Sequence, residues 1–406
     1  MEMNRTDLRR LVRPGDAEYS TRFSEDFLDR QMFRGDPVAD NVVHVLRESG
    51  YNPDGGQYGK LQRLAVDGVP EAVEFFEAAR AKPDWLDEDL IRYGRRFPLG
   101  LVDFYGLSLM HSLFAGGLFM RAGLVTSATG RLGSDTQRRM RETAGFVAQV
   151  MDKGGLVEGS PGYETILRVR LLHGSIRYWT THEDAYESKY IGVPIDQTML
   201  AMTLILFSYL NVRSFLRMGI PLRDSDIEAH QHRWRYVGYL LGIQDSILCA
   251  NISEEKELWS ALVKHQLFPE MIGPDVFDAM VSAMAGAAEN TRAPDPEALM
   301  RALLLKLSGP EWFGLDSEVE APFLQSMALT GAATSIGTAF RLVPPIQGRM
   351  MQRGRGLLGA AVDAGKKSGY GVVIGDQEDA LREFSAKSAV AVQERFAHLD
   401  EAALAS

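Results

Sequence analysis

Ser160-Pro-Gly-Tyr-Glu-Thr-Ile-Leu-Arg-Val-Arg-Leu-Leu-His-Gly-Ser-Ile-Arg-Tyr-Trp179 decides how the chain is read. Ser160 is a natural N-cap and Pro161 suits the first turn, so the pattern predicts a helix over Pro161–Trp179. At about 100° per residue, Arg170, His173 and Arg177 fall within an arc of roughly 60° that also holds Ile166. Val169 and Ile176 border that arc. A histidine flanked by two guanidinium groups therefore lies on the side that a core-facing helix buries.

The same helical texture extends outward in both directions. Helices are predicted over Val38–Ser49, over Pro70–Lys82 with Pro83 closing it, and over Asp135–Lys153, where Ser134 and Gln137 form a capping box. A long apolar helix is predicted over Asp196–Met218 and another over Asp224–Ile243. Further helices are predicted over Glu254–His265, Pro274–Ala288, Pro296–Leu307, Pro322–Leu342 and Gln377–Ala402. Tyr51–Gly59 and the Arg/Gly-rich Gln347–Lys367 read as loop or weak helix, and Gly371–Gly375 is the only β-like run. The expected fold is all-α. The expected organisation is an N-terminal helical extension (1–89), a central domain (90–330) and a C-terminal helical extension (331–406).

Composition excludes several classes. With 406 residues, 45% of them apolar and 24% charged, the chain has the make-up of a globular protein rather than a disordered or collagen-like one. Fifty-four acidic against 44 basic residues leave a net charge of −10, without the basic footprint of a nucleic-acid binder. The single cysteine, Cys249, forbids an internal disulfide and any Cys-based zinc or iron–sulfur centre. No apolar segment follows Arg9-Arg10, so no secretory or twin-arginine leader is predicted and a cytoplasmic location is expected. Phe104–Met120 and Met199–Leu210 are the membrane-like runs. Spanning needs about 20 apolar residues, so both are read as core helices, with membrane contact possible at the first.

Hydrolase and nucleotide-binding motifs are missing: there is no His-Glu-x-x-His, no Walker A, no Gly-x-Ser-x-Gly and no Gly-x-Gly-x-x-Gly after a strand. Glu254-Glu255 reads as a charged surface pair. His230 and His232 are two apart and point to different faces of a helix, which prevents them from clamping one metal.

The unusual helices remain. Fixed positive charge and burial both oppose protonation of His173, and a neutral imidazole is the form that ligates metal. Buried arginines require anions, which carboxylates of a cofactor would supply. That combination fits haem, with iron on His173 and arginines near the propionates. The plainer alternative is a hydrogen-bonded core histidine with Arg170 and Arg177 paired to protein carboxylates. Upstream, Arg139, Glu142, Thr143, Phe146 and Val150 lie within an arc of roughly 100°. Arg139, Glu142 and Thr143 are then expected to face inward, where they would hold a polar ligand or move a proton. Against this stands an Arg139–Glu142 ion pair on a solvated face.

Arg170-Leu-Leu-His173-Gly-Ser-Ile-Arg177 resembles the Arg-x-x-His-x-x-x-Arg signature of the rubber oxygenase (latex clearing protein) family. That family includes the fungal oxygenase that cleaves an isoprenoid chain in mycophenolic acid biosynthesis. Gly192-Val-Pro-Ile-Asp-Gln197, Phe207-Ser208 and Glu228–Gly242 are similar to segments of the same family, and Arg139-Met-Arg-Glu142-Thr143 to its Arg-x-x-x-Thr helix. The likeness covers about residues 90 to 330.

The resemblance implies an all-α fold with a globin-like core around b-type haem. It implies His173 as the proximal iron ligand, with Arg170 and Arg177 orienting that residue or the cofactor. Arg139 and Thr143 would lie on the distal, oxygen-binding side. Glu142 stands where well-known rubber oxygenases carry a lysine able to coordinate iron; a carboxylate there would serve as a base or as the partner of Arg139. The activity implied is a haem-dependent oxygenase using O2 on a small hydrophobic alkene, an isoprenoid or unsaturated lipid, with Phe104–Met120 a candidate tunnel lining. Polymeric rubber itself is not expected. A non-catalytic haem protein, either a gas sensor or a carrier, is the second reading, and an all-α interaction protein without cofactor is the third.

Overall fold

In the computed structural model, the residues described are 8–9, 12, 14–49, 57–112, 136–182, 192–267, 274–287, 295–313, 315–316 and 322–368. Among them helices follow one another from Glu25–Gln31 to Pro344–Ser368 and no strand occurs. The all-α expectation holds.

Side chains begin many of these helices by accepting otherwise orphaned backbone N–H groups. Asp36 accepts from Ala39 ahead of Pro37–Glu48, Asp196 from Thr198 and Met199 ahead of Gln197–Phe207, and Asn251 from Ser253 and Glu254 ahead of Ile252–Gln266. Ser160 Oγ accepts from Tyr163 N at 3.3 Å, which fixes the start of Pro161–His182 where the sequence placed it. The proposed Ser134 cap, Gly371–Gly375 and Gln377–Ala402 lie outside the described residues.

Two predicted elements differ. The helix expected over Asp196–Met218 is two helices, Gln197–Phe207 and Tyr209–Arg217, broken at Ser208 (φ −103°, ψ −89°). The carbonyls freed by the break find side-chain donors: Asn211 Nδ2 binds Leu206 O at 2.8 Å, and His230 Nε2 approaches Phe207 O at 3.1 Å. Gln197–Arg217 taken together is long and apolar enough to cross a membrane, yet 89% of that window is buried inside the protein. The second difference is Gln347–Lys367, expected as loop or weak helix, which belongs to the continuous helix Pro344–Ser368. One of its glycines permits close packing. A Cβ on Gly354 would lie 1.9 Å from the Leu99 carbonyl oxygen, so the helix rests directly on the backbone of Arg96–Gly100.

The core that positions the site is built from side chains of every part of the described chain. Phe23, Leu28, Val42 and Leu46 from the N-terminal helices join Ile166, Leu167, Leu171, Phe215, Trp234 and Trp259 in one buried cluster. Each large apolar side chain so buried contributes about 1.5–3 kcal/mol. Pro37–Glu48 packs along Pro161–His182. Gly174 allows this closeness, because a Cβ there would lie 3.1 Å from the Ala39 carbonyl oxygen. Pro344–Ser368 packs on Thr136–Val150.

Candidate functional site

The helix Pro161–His182 brings its three singular residues to one buried side. Arg170 donates from Nε to Asp36 Oδ2 at 2.6 Å and from Nη2 to Asp36 Oδ1 at 2.8 Å. Arg177 donates from Nε to Asp40 Oδ1 at 2.7 Å and from Nη1 to the Ile195 carbonyl at 2.9 Å. The anions that these buried guanidiniums require are therefore protein carboxylates, one turn apart on Pro37–Glu48 and its cap, rather than the cofactor carboxylates set out above. Both aspartates escaped the sequence reading. Their signal was present, since Asp36-Pro37 is a cap-and-first-turn pair with Asp40 one turn on, but nothing local tells a capping aspartate that it also pairs with a distant arginine.

His173 sits between the two ion pairs. Its Nδ1 is enclosed and has no hydrogen-bond partner among the described residues, although the residue as a whole keeps partial exposure. Burial first, and then the Arg177 charge, pull its pKa down to about 3, against a smaller upward pull from Asp36. Of the two arginines, only Arg177 figures in that repulsion. The imidazole is neutral at physiological pH and has a free nitrogen. A side chain in this state fits a metal ligand, and haem iron asks for only one from the protein. Among the described residues no cluster of three or more His, Cys, Asp or Glu could hold a bare metal ion.

Residues from the other matching segments close the frame around these pairs. Gln197 Nε2 donates to Gly35 O at 2.8 Å and Gly242 O at 3.1 Å, while its Oε1 accepts from Gln244 N at 2.8 Å. Gly242 needs to be glycine: its φ is +83°, and a Cβ would lie 2.2 Å from Asp36 Oδ2 and 2.8 Å from Arg170 Nε. Ile195 is the one non-glycine residue with positive φ (52°) among the described residues, and its carbonyl is the one held by Arg177. Gln197, Gly242 and Ile195 thus meet Arg170 and Arg177 in a single polar girdle.

Thr136–Val150 carries the second candidate set. It meets the His173 helix at its C-terminal end, where Thr165 Oγ1 donates to Gln149 Oε1 at 2.5 Å and Gly162 lies against the Gln149 carbonyl. Counting at 1.5 Å per residue from the Gln149–Thr165 bond, Arg139 lies about 15 Å back along its helix and His173 about 12 Å forward along its own. Glu142 and Thr143 are half-buried. The Arg139 side chain lies outside the described residues, and with it the proposed ion pair to Glu142. One turn beyond Thr143, Phe146 contacts Phe207 and Trp234, with centroids 6.4 and 6.5 Å away, and Phe207 stacks on Trp234 at 4.7 Å. An aromatic wall therefore adjoins Glu142 and Thr143.

The remaining titratable residues have structural partners. His230 and His232 face different elements, as expected: His232 Nε2 accepts from Asp87 N at 2.9 Å, and His230 approaches the Phe207 carbonyl. Glu255 corrects the reading of Glu254-Glu255 as a surface pair. It is 2% exposed, accepts from Gln231 Nε2 at 3.1 Å, and is pushed by burial to a pKa of about 8. Glu254 alone faces outward, paired with Arg22.

A solved structure of latex clearing protein in the closed state has a TM-score of 0.56 to this chain at 19% identity, covering 86% of this chain and 95% of that one. At that identity the likeness shows a shared fold. No curated protein sequence matches the chain significantly. The model of the family described as "ER-bound oxygenase mpaB/B'/Rubber oxygenase, catalytic domain" matches residues 92–364, which is more than half of the sequence, and the chain belongs to that oxygenase family.

Proposed function

We propose that the protein is a haem b-dependent oxygenase that uses O2 to oxidise or cleave a C=C bond in a hydrophobic isoprenoid or unsaturated lipid. Membership of an oxygenase family supports the reaction class. The observation that carries the haem is the state of His173: neutral, held between two ion pairs, and with an enclosed nitrogen that no described residue binds. A location in the cytoplasm goes with the same proposal.

His173 would ligate the iron. Asp36–Arg170 and Asp40–Arg177 hold its helix on either side, and burial, with the Arg177 charge adding to it, keeps the imidazole unprotonated. Haem, when bound, supplies the oxygen chemistry that no side chain provides. Arg139 and Thr143 contribute hydrogen-bond donors on the distal side, and Glu142 accepts a proton from an allylic carbon. Phe146, Phe207 and Trp234 exclude water beside them, which strengthens each of these electrostatic contributions.

Aerobic incubation of the haem-loaded protein with squalene, a fatty acid of the oleate type and a saturated control tests the reaction. Oxygen uptake with carbonyl or oxidised products from the alkenes only is the expected outcome. Reversible O2 binding without uptake would replace it with a sensor or carrier.

A further inference from the structure

A second set of buried polar groups carries positive charge without a counter-charge. Arg213, on the helix Tyr209–Arg217, is 1% exposed, and its Nε and Nη1 have no hydrogen-bond partner among the described residues. Arg217, one turn further, donates from Nε and Nη2 to the Lys306 carbonyl. Across from this helix, His111 places Nε2 2.7 Å from Ser308 Oγ and Nδ1 3.2 Å from Ser214 Oγ. Ser112, next to His111 in the chain, is equally buried and its hydroxyl is enclosed and unpaired.

Among the described residues the charged side chains acting on this cluster are cationic, and the one acidic group facing Arg213 is the Tyr209 phenol. Burial, and then the Arg213 and Arg217 charges, push His111 far below the usual imidazole range. Arg9 opposes the charge of Arg217, and Arg217 opposes that of Lys306. No carboxylate acts on Arg213, His111, Arg217 or Lys306 among the described residues. A guanidinium does not shed its proton in a protein, and a buried charge without a counter-ion is strongly disfavoured. Arg170 and Arg177 each have an aspartate, and the buried Arg233 donates to the Ile91 and Val150 carbonyls. Among the described residues Arg213 has no carboxylate, and its Nε and Nη1 have no acceptor.

From the orphaned guanidinium of Arg213, on the helix that His111 meets through Ser214, we infer that this cluster is a binding site for a ligand carboxylate. The inference rests on the function proposed above, which offers two sources of that group: a propionate of haem, or the acid head of an unsaturated lipid substrate. The second source narrows the substrate class to alkenes bearing a carboxylate. Arg213 follows Phe207 by six positions in sequence, and the Phe207 ring packs on Phe146 at the aromatic wall.

The test compares the full-length protein with Arg213→Met, by haem titration and by thermal shift with decanoate and with decanol as the uncharged control. Methionine removes an unpaired charge at similar volume, so the melting temperature without ligand should not fall. Arg213→Lys, which keeps the charge, covers the case in which the methionine variant does not fold. If haem affinity drops at least tenfold in Arg213→Met, the carboxylate is that of haem. If decanoate, but not decanol, raises the wild-type melting temperature and the shift vanishes in Arg213→Met, it is that of the substrate. If haem affinity is unchanged and decanoate acts no differently from decanol, the inference is overturned. A chain that takes up no haem would refute the proposed function while the decanoate comparison still decides the site.

Discussion

Asp36 and Arg170, 134 positions apart in sequence, meet through two parallel hydrogen bonds of 2.6 and 2.8 Å with both side chains buried. The fork geometry matches a guanidinium to a carboxylate, and Gly242 leaves room for it because no Cβ stands in the way. With Asp40–Arg177 it clamps the helix segment that carries His173 to the N-terminal helix Pro37–Glu48. The N-terminal helices, which lie outside the family match of residues 92–364, thus complete the frame of the candidate site.

Removing one partner of that pair leaves a buried charge alone. Asp36→Ala is expected to destabilise the protein by about 3–5 kcal/mol. The double substitution Asp36→Leu with Arg170→Met, which removes both charges, should recover much of that loss. Urea denaturation midpoints check the order. Equal losses in the single and double variants would show that packing, not charge, is what the pair contributes.

Stability should fall towards both ends of the pH range, through opposite signs. His173 is held at about 3 in the folded protein and lies near 6.5 when unfolded, so the unfolded chain binds more protons between those values. Its contribution is complete above about 6.5 and is lost as pH falls towards 3. Glu255, raised to about 8, acts the other way: the folded state keeps a proton that the unfolded state releases above about 4.5. Its contribution is complete below about 4.5 and is lost as pH rises through 8. Melting temperatures from pH 5 to 9 should therefore lose the alkaline decline in Glu255→Gln and part of the acid decline in His173→Phe.

The break at Ser208 is held by two side chains, His230 and the Asn211 amide. Asn211 Nδ2 satisfies the Leu206 carbonyl in a fully buried setting. Asn211→Ala should cost about 1–3 kcal/mol, the penalty of leaving a buried acceptor unpaired. An unchanged melting temperature would mean that the carbonyl has another donor.

Two neighbouring positions on the last described helix should differ sharply. Arg353 pairs with Asp103 at the surface, both about 60% exposed, and such pairs contribute about 0–1 kcal/mol. Gly354 lies against the Leu99 carbonyl. Gly354→Ala should therefore destabilise more than Arg353→Ala, although alanine favours an isolated helix over glycine by about 1 kcal/mol. Calorimetry on the two variants gives the order directly.

The parts of this architecture that local chemistry dictates could be read from the sequence. Ser160-Pro161 announced the start of the His173 helix, and the spacing of Arg170, His173 and Arg177 announced its buried polar side. What escaped depends on residues distant in the chain. No glycine or proline marks Ser208, and the break is held by His230 from another helix. Gly354, within Gln347–Lys367, reads as flexibility because its use, contact with the Leu99 backbone, needs the partner in view. Asp36 and Asp40 looked like ordinary helix-start residues for the same reason. Glu255 looked solvated because its neighbour Glu254 is.

Haem binding through the His173 imidazole is the proposal on which the oxygenase chemistry rests. The absorption spectrum of the purified protein, reconstituted with haem beside His173→Ala and the charge-pair variant Arg177→Met, tests it most directly. The account predicts a stoichiometric Soret band in the wild type, its loss or displacement in His173→Ala, and its retention in a folded Arg177→Met. A folded wild-type protein that stays colourless with excess haem, or a His173→Ala spectrum identical to that of the wild type, would contradict it.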